Sequence, residues 1–170
     1  MTTATDLLLD GFGRVNENVH AVLDGADEGV LTTRLDADAN TIGWLVWHLL
    51  RVQDDHVAGV AGTEQVWTAR GWHERFGLPF GAEATGYGSS SDDVAAVRGV
   101  SVADYLGYAD DVHAATRTYV QGLADEDLAR VVDENWDPPV TLAVRLVSVV
   151  DDDLEHVGQA AFVRGVLDRR

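Results

Sequence analysis

Cysteine and lysine are both absent from this chain of 170 residues. Without cysteine there is no disulfide, no thiolate ligand and no cysteine nucleophile. Without lysine, Schiff-base chemistry is excluded. All 12 basic residues are Arg, and against 29 acidic residues they leave a formal net charge of −17. Nucleic-acid binding draws most of its strength from Lys and Arg on phosphates, so this balance argues against such a partner. It argues equally against an anionic membrane surface. No apolar run approaches the ~20 residues of a membrane span. The opening Met1-Thr2-Thr3-Ala4-Thr5-Asp6 lacks the basic start of a signal peptide. These absences predict a cytoplasmic protein.

What is present is helical periodicity. Leu8, Leu9, Phe12, Val15, Val19 and Val22 recur at three- and four-residue steps, predicting a helix over 6–23. Ile42, Leu45, Val46, Leu49 and Val52 predict a second over 40–60, capped by Asn40 or Thr41. A third opens at Ser101-Val102-Ala103-Asp104 and runs to about 122. The last follows Pro138-Pro139 and runs to about 167. The connection over 61–99 is long and holds Trp67, Trp72, Phe76, Phe80 and Tyr87. Short helices are expected near 71–76 and 92–98, with the aromatics packed onto the body. A short extra turn is expected at 124–128. No stretch alternates strictly enough to predict a sheet. The expected fold is all-α, a four-helix bundle with a long connection between its second and third helices, in one domain over 1–170.

The last helix carries Asp152-Asp153-Leu154-Glu155-His156. Residues four apart share a helix face, so Asp152 and His156 can hold one ion between them. Asp153 falls nearer the centre of the apolar stripe, and an i,i+3 acid–His pair also binds metal in bundle cores. A buried acid must be paired, neutralised or metal-bound. His48, in the apolar Trp44-Leu45-Val46-Trp47-His48-Leu49-Leu50, is a candidate third ligand or a hydrogen-bonded core histidine. His56 is the alternative ligand. Asp55 would orient a ligand or pair with Arg51. Arg145 would bind an anionic substrate group or pair with a carboxylate. Gln159 would hydrogen-bond a ligand or substrate, or stand in solvent. Trp44, Trp47, Trp67 and Trp72 would line a pocket or fill core. His20, His73 and His113 show no partner pattern.

Three pieces together resemble the DinB-like family, within the superfamily that includes mycothiol-dependent maleylpyruvate isomerase. They are Trp47-His48-Leu49, the run Asp152-x-x-x-His156-x-Gly158-Gln159, and the order of the helices over nearly the whole chain. The stretch from Trp44 to His56, and Trp136-Asp137-Pro138-Pro139-Val140-Thr141, look like an actinobacterial subfamily of unknown function. The resemblance implies His48, Asp152 and His156 as metal ligands, choosing Asp152 over Asp153. It also implies a homodimer. The family usually has His or Glu where this chain has Asp152. The shorter, harder carboxylate moves preference toward oxygen-loving ions, with Zn²⁺ still first and Ni²⁺, Mn²⁺ or Fe²⁺ behind it. Relatives activate a small-molecule thiol, mycothiol or bacillithiol. A lysine-free, Ala- and Arg-rich chain hints at a GC-rich genome, which suits a mycothiol producer. The expected function is a divalent-metal-dependent S-transferase or isomerase acting on small electrophiles. Metal-assisted hydrolysis by bound hydroxide, and a non-catalytic metal-binding or interaction bundle, are the alternatives.

Overall fold

The computed structural model describes residues 2–170. Thr3 caps the first long helix, α1 (Ala4–Leu23), by exchanging hydrogen bonds with Asp6 in a capping box. Phe12, Val15, Val19 and Val22 form its buried stripe. A one-turn helix, α2 (Glu28–Thr32), follows. Thr41 then caps α3 (Ile42–Ala61), its hydroxyl accepting from the Trp44 N–H at 3.1 Å. Gly62, at φ 69°, ends α3 in the left-handed conformation. Three short helices occupy the long connection: α4 (Val66–Ala69), α5 (Trp72–Phe76) and α6 (Ser91–Ala96). The third long helix is α7 (Val102–Gln121) and the fourth α8 (Leu142–Leu167). A 3₁₀ turn at Asp125–Ala129 lies between them.

The four long helices form a ring in which α1 and α3 each pack against both α7 and α8. Side-chain contacts give their directions. Gln53 donates to Thr116, and the Tyr119 hydroxyl reaches the Val60 carbonyl, so α3 and α7 run parallel. Gly11 abuts Val150 and Arg164 donates to the Val22 carbonyl, so α1 and α8 run parallel. Parallel neighbours need a connection that travels the length of a helix. For the 20-residue α3 that is roughly 30 Å, which accounts for the long segment before α7.

That segment is packed, not loose. Trp67, Trp72 and Phe76 pack tilted or edge-on against Tyr105 and Tyr108 of α7. The Asp54 carboxylate accepts from the Val66 and Trp67 N–H groups, both at 2.8 Å, and so caps α4 from a distance. Arg51 is fully buried and donates to the Ala82 and Ala84 carbonyls, to Gln65 and to Tyr108. One side chain thus fastens four places. Enclosed by bundle and connection together, α3 is buried from Ile42 through Arg51.

Two features depart from the sequence expectation. α2 and α4 are too short to show periodicity. A small antiparallel pair, β1 (Val131–Asp133) with β2 (Val140–Thr141), stands where no sheet was expected. Strands of two or three residues show no alternation to read. Pro138-Pro139 serves the turn of this hairpin, while Thr141 caps α8.

Candidate metal centre

On α3, His48, Val52 and His56 recur every four residues. On α8, Arg145, Val149, Asp152 and His156 recur at steps of three and four. These spacings put each set on one helix face. The helices run antiparallel, so His48 meets His156 at one end of the seam and His56 meets Arg145 at the other.

His48 is buried, and its ring lies 4.7 Å from the His156 ring between centroids. Trp44, one turn earlier, stacks on His48 at 4.7 Å and 16°. It meets His156 edge-on at 6.4 Å. His48 Nδ1 lies 2.5 Å from the Thr85 carbonyl. A carbonyl only accepts, so Nδ1 carries the proton and Nε2 is left with its lone pair. Burial pushes the His48 imidazole below the ordinary histidine range and holds it neutral. Gly86, at φ +92°, lets the backbone pass over this ring. A Cβ there would sit 2.8 Å from His48 Nδ1.

On α8, His156 Nε2 and Asp152 Oδ1 lie 3.8 Å apart. Asp152 Oδ2 and His156 Nδ1 are buried without a hydrogen-bond partner. Such atoms are costly unless something polar meets them. His48, Asp152 and His156 each offer a donor atom, all within 4.8 Å of one another. Donors about 2.1 Å from a tetrahedral ion stand about 3.4 Å apart, so closure by up to about 1.4 Å would seat one. The donors suit such an ion: two imidazoles, one of them held neutral with a fixed tautomer, and one carboxylate. A three-ligand set also leaves a position open for a reacting molecule.

Asp153 points into the core, fully buried, with both carboxyl oxygens unpartnered. Burial, then the charge of Asp152, pushes its pKa well above the carboxylate range. It answers the sequence question as a neutralised acid and lies outside the three-donor cluster. His56 also lies outside that cluster; its Nδ1 accepts from Arg145 Nη1 at 2.9 Å. Arg145 pairs with Asp133 at 3.1 Å, the carboxylate option of the two expected for it. Asp55 neither orients His48 nor pairs with Arg51. It accepts from Gln65, while Arg51 sits beside Asp54 at 3.5 Å. The i,i+3 partner won because Asp54 faces the interior with Arg51. Gln159 is exposed and makes no hydrogen bond to the three donors. Trp67 and Trp72 belong to the aromatic core under α7; Trp47 touches Phe80 and the Gly86 backbone.

Sequence reasoning missed Thr85, Gly86 and Arg51. Thr85 acts through a carbonyl that every residue owns, which leaves no signature. Arg51 had a signal: a lone cation within a run of buried apolar positions. A groove of about 500 Å³ between α3 and α7, lined by Val57, Ala58, Ala115 and Thr118, holds none of the three donors. It is larger than the cavity of about 370 Å³ that reaches Asp152, and chemistry favours the smaller one. None of the described helices is long and apolar enough to cross a membrane.

Comparison with known proteins agrees with this architecture. The family model described as the DinB superfamily matches residues 12–160. The crystal structure of a conserved protein from Enterococcus faecalis superposes with a TM-score of 0.92. It shares 27% identity, with 100% of each chain covered. No curated protein matches the chain.

Proposed function

The chain belongs to the DinB superfamily, and from that premise we propose that His48, Asp152 and His156 hold one divalent metal ion, Zn²⁺ first among the choices. The observation that carries this is the pairing of a tautomer-locked His48 with the orphaned polar atoms of Asp152 and His156 across one seam. When bound, such an ion lowers the pKa of a thiol or water in its open position.

The chain's own residues supply the frame. Thr85 holds the His48 proton on Nδ1 and aims Nε2 at the seam. Trp44 covers one face of that ring and excludes water from it. Asp152 offsets part of the ion's charge. No cysteine exists in the chain to serve as nucleophile. As the family resemblance implies, a small-molecule thiol such as mycothiol would supply the sulfur, and the reaction is S-transfer or isomerisation of a small electrophile.

The test is metal analysis of untagged protein beside His48→Ala and His156→Ala. Near-stoichiometric metal in the parent, lost in both variants, is expected. Turnover of electrophiles that needs both metal and thiol is expected next. Turnover without thiol would replace this reading by hydrolysis. A parent protein that stays metal-free with added Zn²⁺, Ni²⁺ and Mn²⁺ would overturn it.

A further inference from the structure

The cavity that reaches Asp152 lies between α3, α8 and the hairpin loop, with a volume of about 370 Å³. Val52, Val144 and Val149 form its apolar wall, and Trp136 its rim. Trp136 is 65% exposed, an unusual state for the largest apolar side chain. The polar groups on the wall are nearly all engaged. Ser148 donates to the Val144 carbonyl. Arg145 spends Nη2 on Asp133 and Nη1 on His56. A guanidinium only donates, so His56 Nδ1 must accept and the His56 proton sits on Nε2. That N–H has no partner among the described residues, and the ring is 37% exposed on the cavity wall.

Before any ligand or ion arrives, the charges on this wall leave one carboxylate in excess. Arg145 is answered by Asp133, and Asp152 adds a negative charge at the inner end. In the metal-free protein an anionic ligand would find no unpaired cation on this wall. An uncharged one loses less on entering, because burying a charge without a partner is costly.

We propose that this cavity binds the electrophilic substrate, an uncharged molecule with a flat apolar body and one carbonyl-type acceptor, and that His56 Nε2–H donates to that acceptor. The apolar body lies against Trp136 and the valine wall. His56 is then the residue that positions the electrophile, and Arg145 fixes its tautomer. The cavity's role as a substrate pocket rests on the metal-site reading above. Its ligand preference does not.

The probes are benzamide and benzoate, which share a ring and differ in charge. Trp44, Trp47, Trp67 and Trp72 are all buried, so the long-wavelength tryptophan emission reports Trp136. Binding is followed by that emission in protein as purified and after chelation, with Trp136→Phe as the signal control. Benzamide is expected to bind at least several-fold more tightly than benzoate in chelated protein. His56→Leu should weaken benzamide about three- to tenfold, the worth of one neutral hydrogen bond. His56→Gln, which restores a donor, should recover most of that loss. Tighter benzoate binding, no response of Trp136, or benzamide affinity unchanged in His56→Leu would each overturn the assignment. Metal content of the same samples separates the two readings: a metal-free parent that still prefers benzamide refutes the metal site and leaves the ligand preference standing.

Discussion

At Gly86 a methyl group decides whether His48 keeps its partner. The position has φ +92°, where side chains other than glycine are strained. An added Cβ would meet His48 Nδ1 at 2.8 Å and the Trp47 ring at 3.0 Å. Neither neighbour is a flexible chain end, so the loop must shift and the Thr85 carbonyl with it. Gly86→Ala should cost about 1–3 kcal/mol of stability, read from a denaturant midpoint. It should also weaken metal binding about 10–100-fold by competition with a chelating dye. An alanine variant with unchanged metal affinity would show that His48 orients itself. At this scale the sequence was readable where side chains carry the chemistry. His48 stood out in an apolar helix, and Asp152 and His156 by their spacing. Thr85 and Gly86 were invisible because their contributions are a carbonyl and a missing Cβ.

Among the elements, α3 and the connection behind it form one unit through Arg51. Arg51 is fully buried, with Asp54 3.5 Å away and the Ala82 and Ala84 carbonyls in hydrogen-bond reach. Arg51→Met should cost about 3–5 kcal/mol, because it strands the buried Asp54 charge and frees the acceptors. Arg51→Lys should recover only part, since an ammonium cannot reach four partners in a plane. Faster amide hydrogen exchange over 66–86 in both variants, with α1 protected as before, would mark the connection as the part released. The long helices were legible to within a few residues because twenty-residue amphipathic stripes repeat the signal many times. Of the short elements, α5, α6 and the 3₁₀ turn were also legible, while α2, α4 and the hairpin were not. α4 owes its cap to the remote Asp54, and α2 and the two strands are too short for a periodic pattern to repeat.

For the molecule as a whole, Tyr105 and Tyr108 set an alkaline limit. Burial pushes the Tyr105 hydroxyl far above the usual phenol range. Burial and then the Asp54 carboxylate do the same for Tyr108. Folded-state values raised above the unfolded ones mean that the native form resists losing these protons. The stability linked to them is complete below pH ~10 and falls as pH rises beyond it. Unfolding free energy should therefore drop steeply above that pH, and Tyr105→Phe should blunt the drop. A parent whose stability stays flat through that range would show that both phenols ionise in place. The three donors of the seam bear on the whole chain in another way. His48 lies in the first third of the sequence, while Asp152 and His156 lie near its end. An ion held among them closes a loop spanning most of the polypeptide. In a disulfide, a covalent closure of roughly 100 residues removes about 4–5 kcal/mol of chain entropy from the unfolded ensemble. A protein that owns no cysteine would thus obtain its one long-range cross-link from coordination, and it would hold that cross-link only while the ion stays.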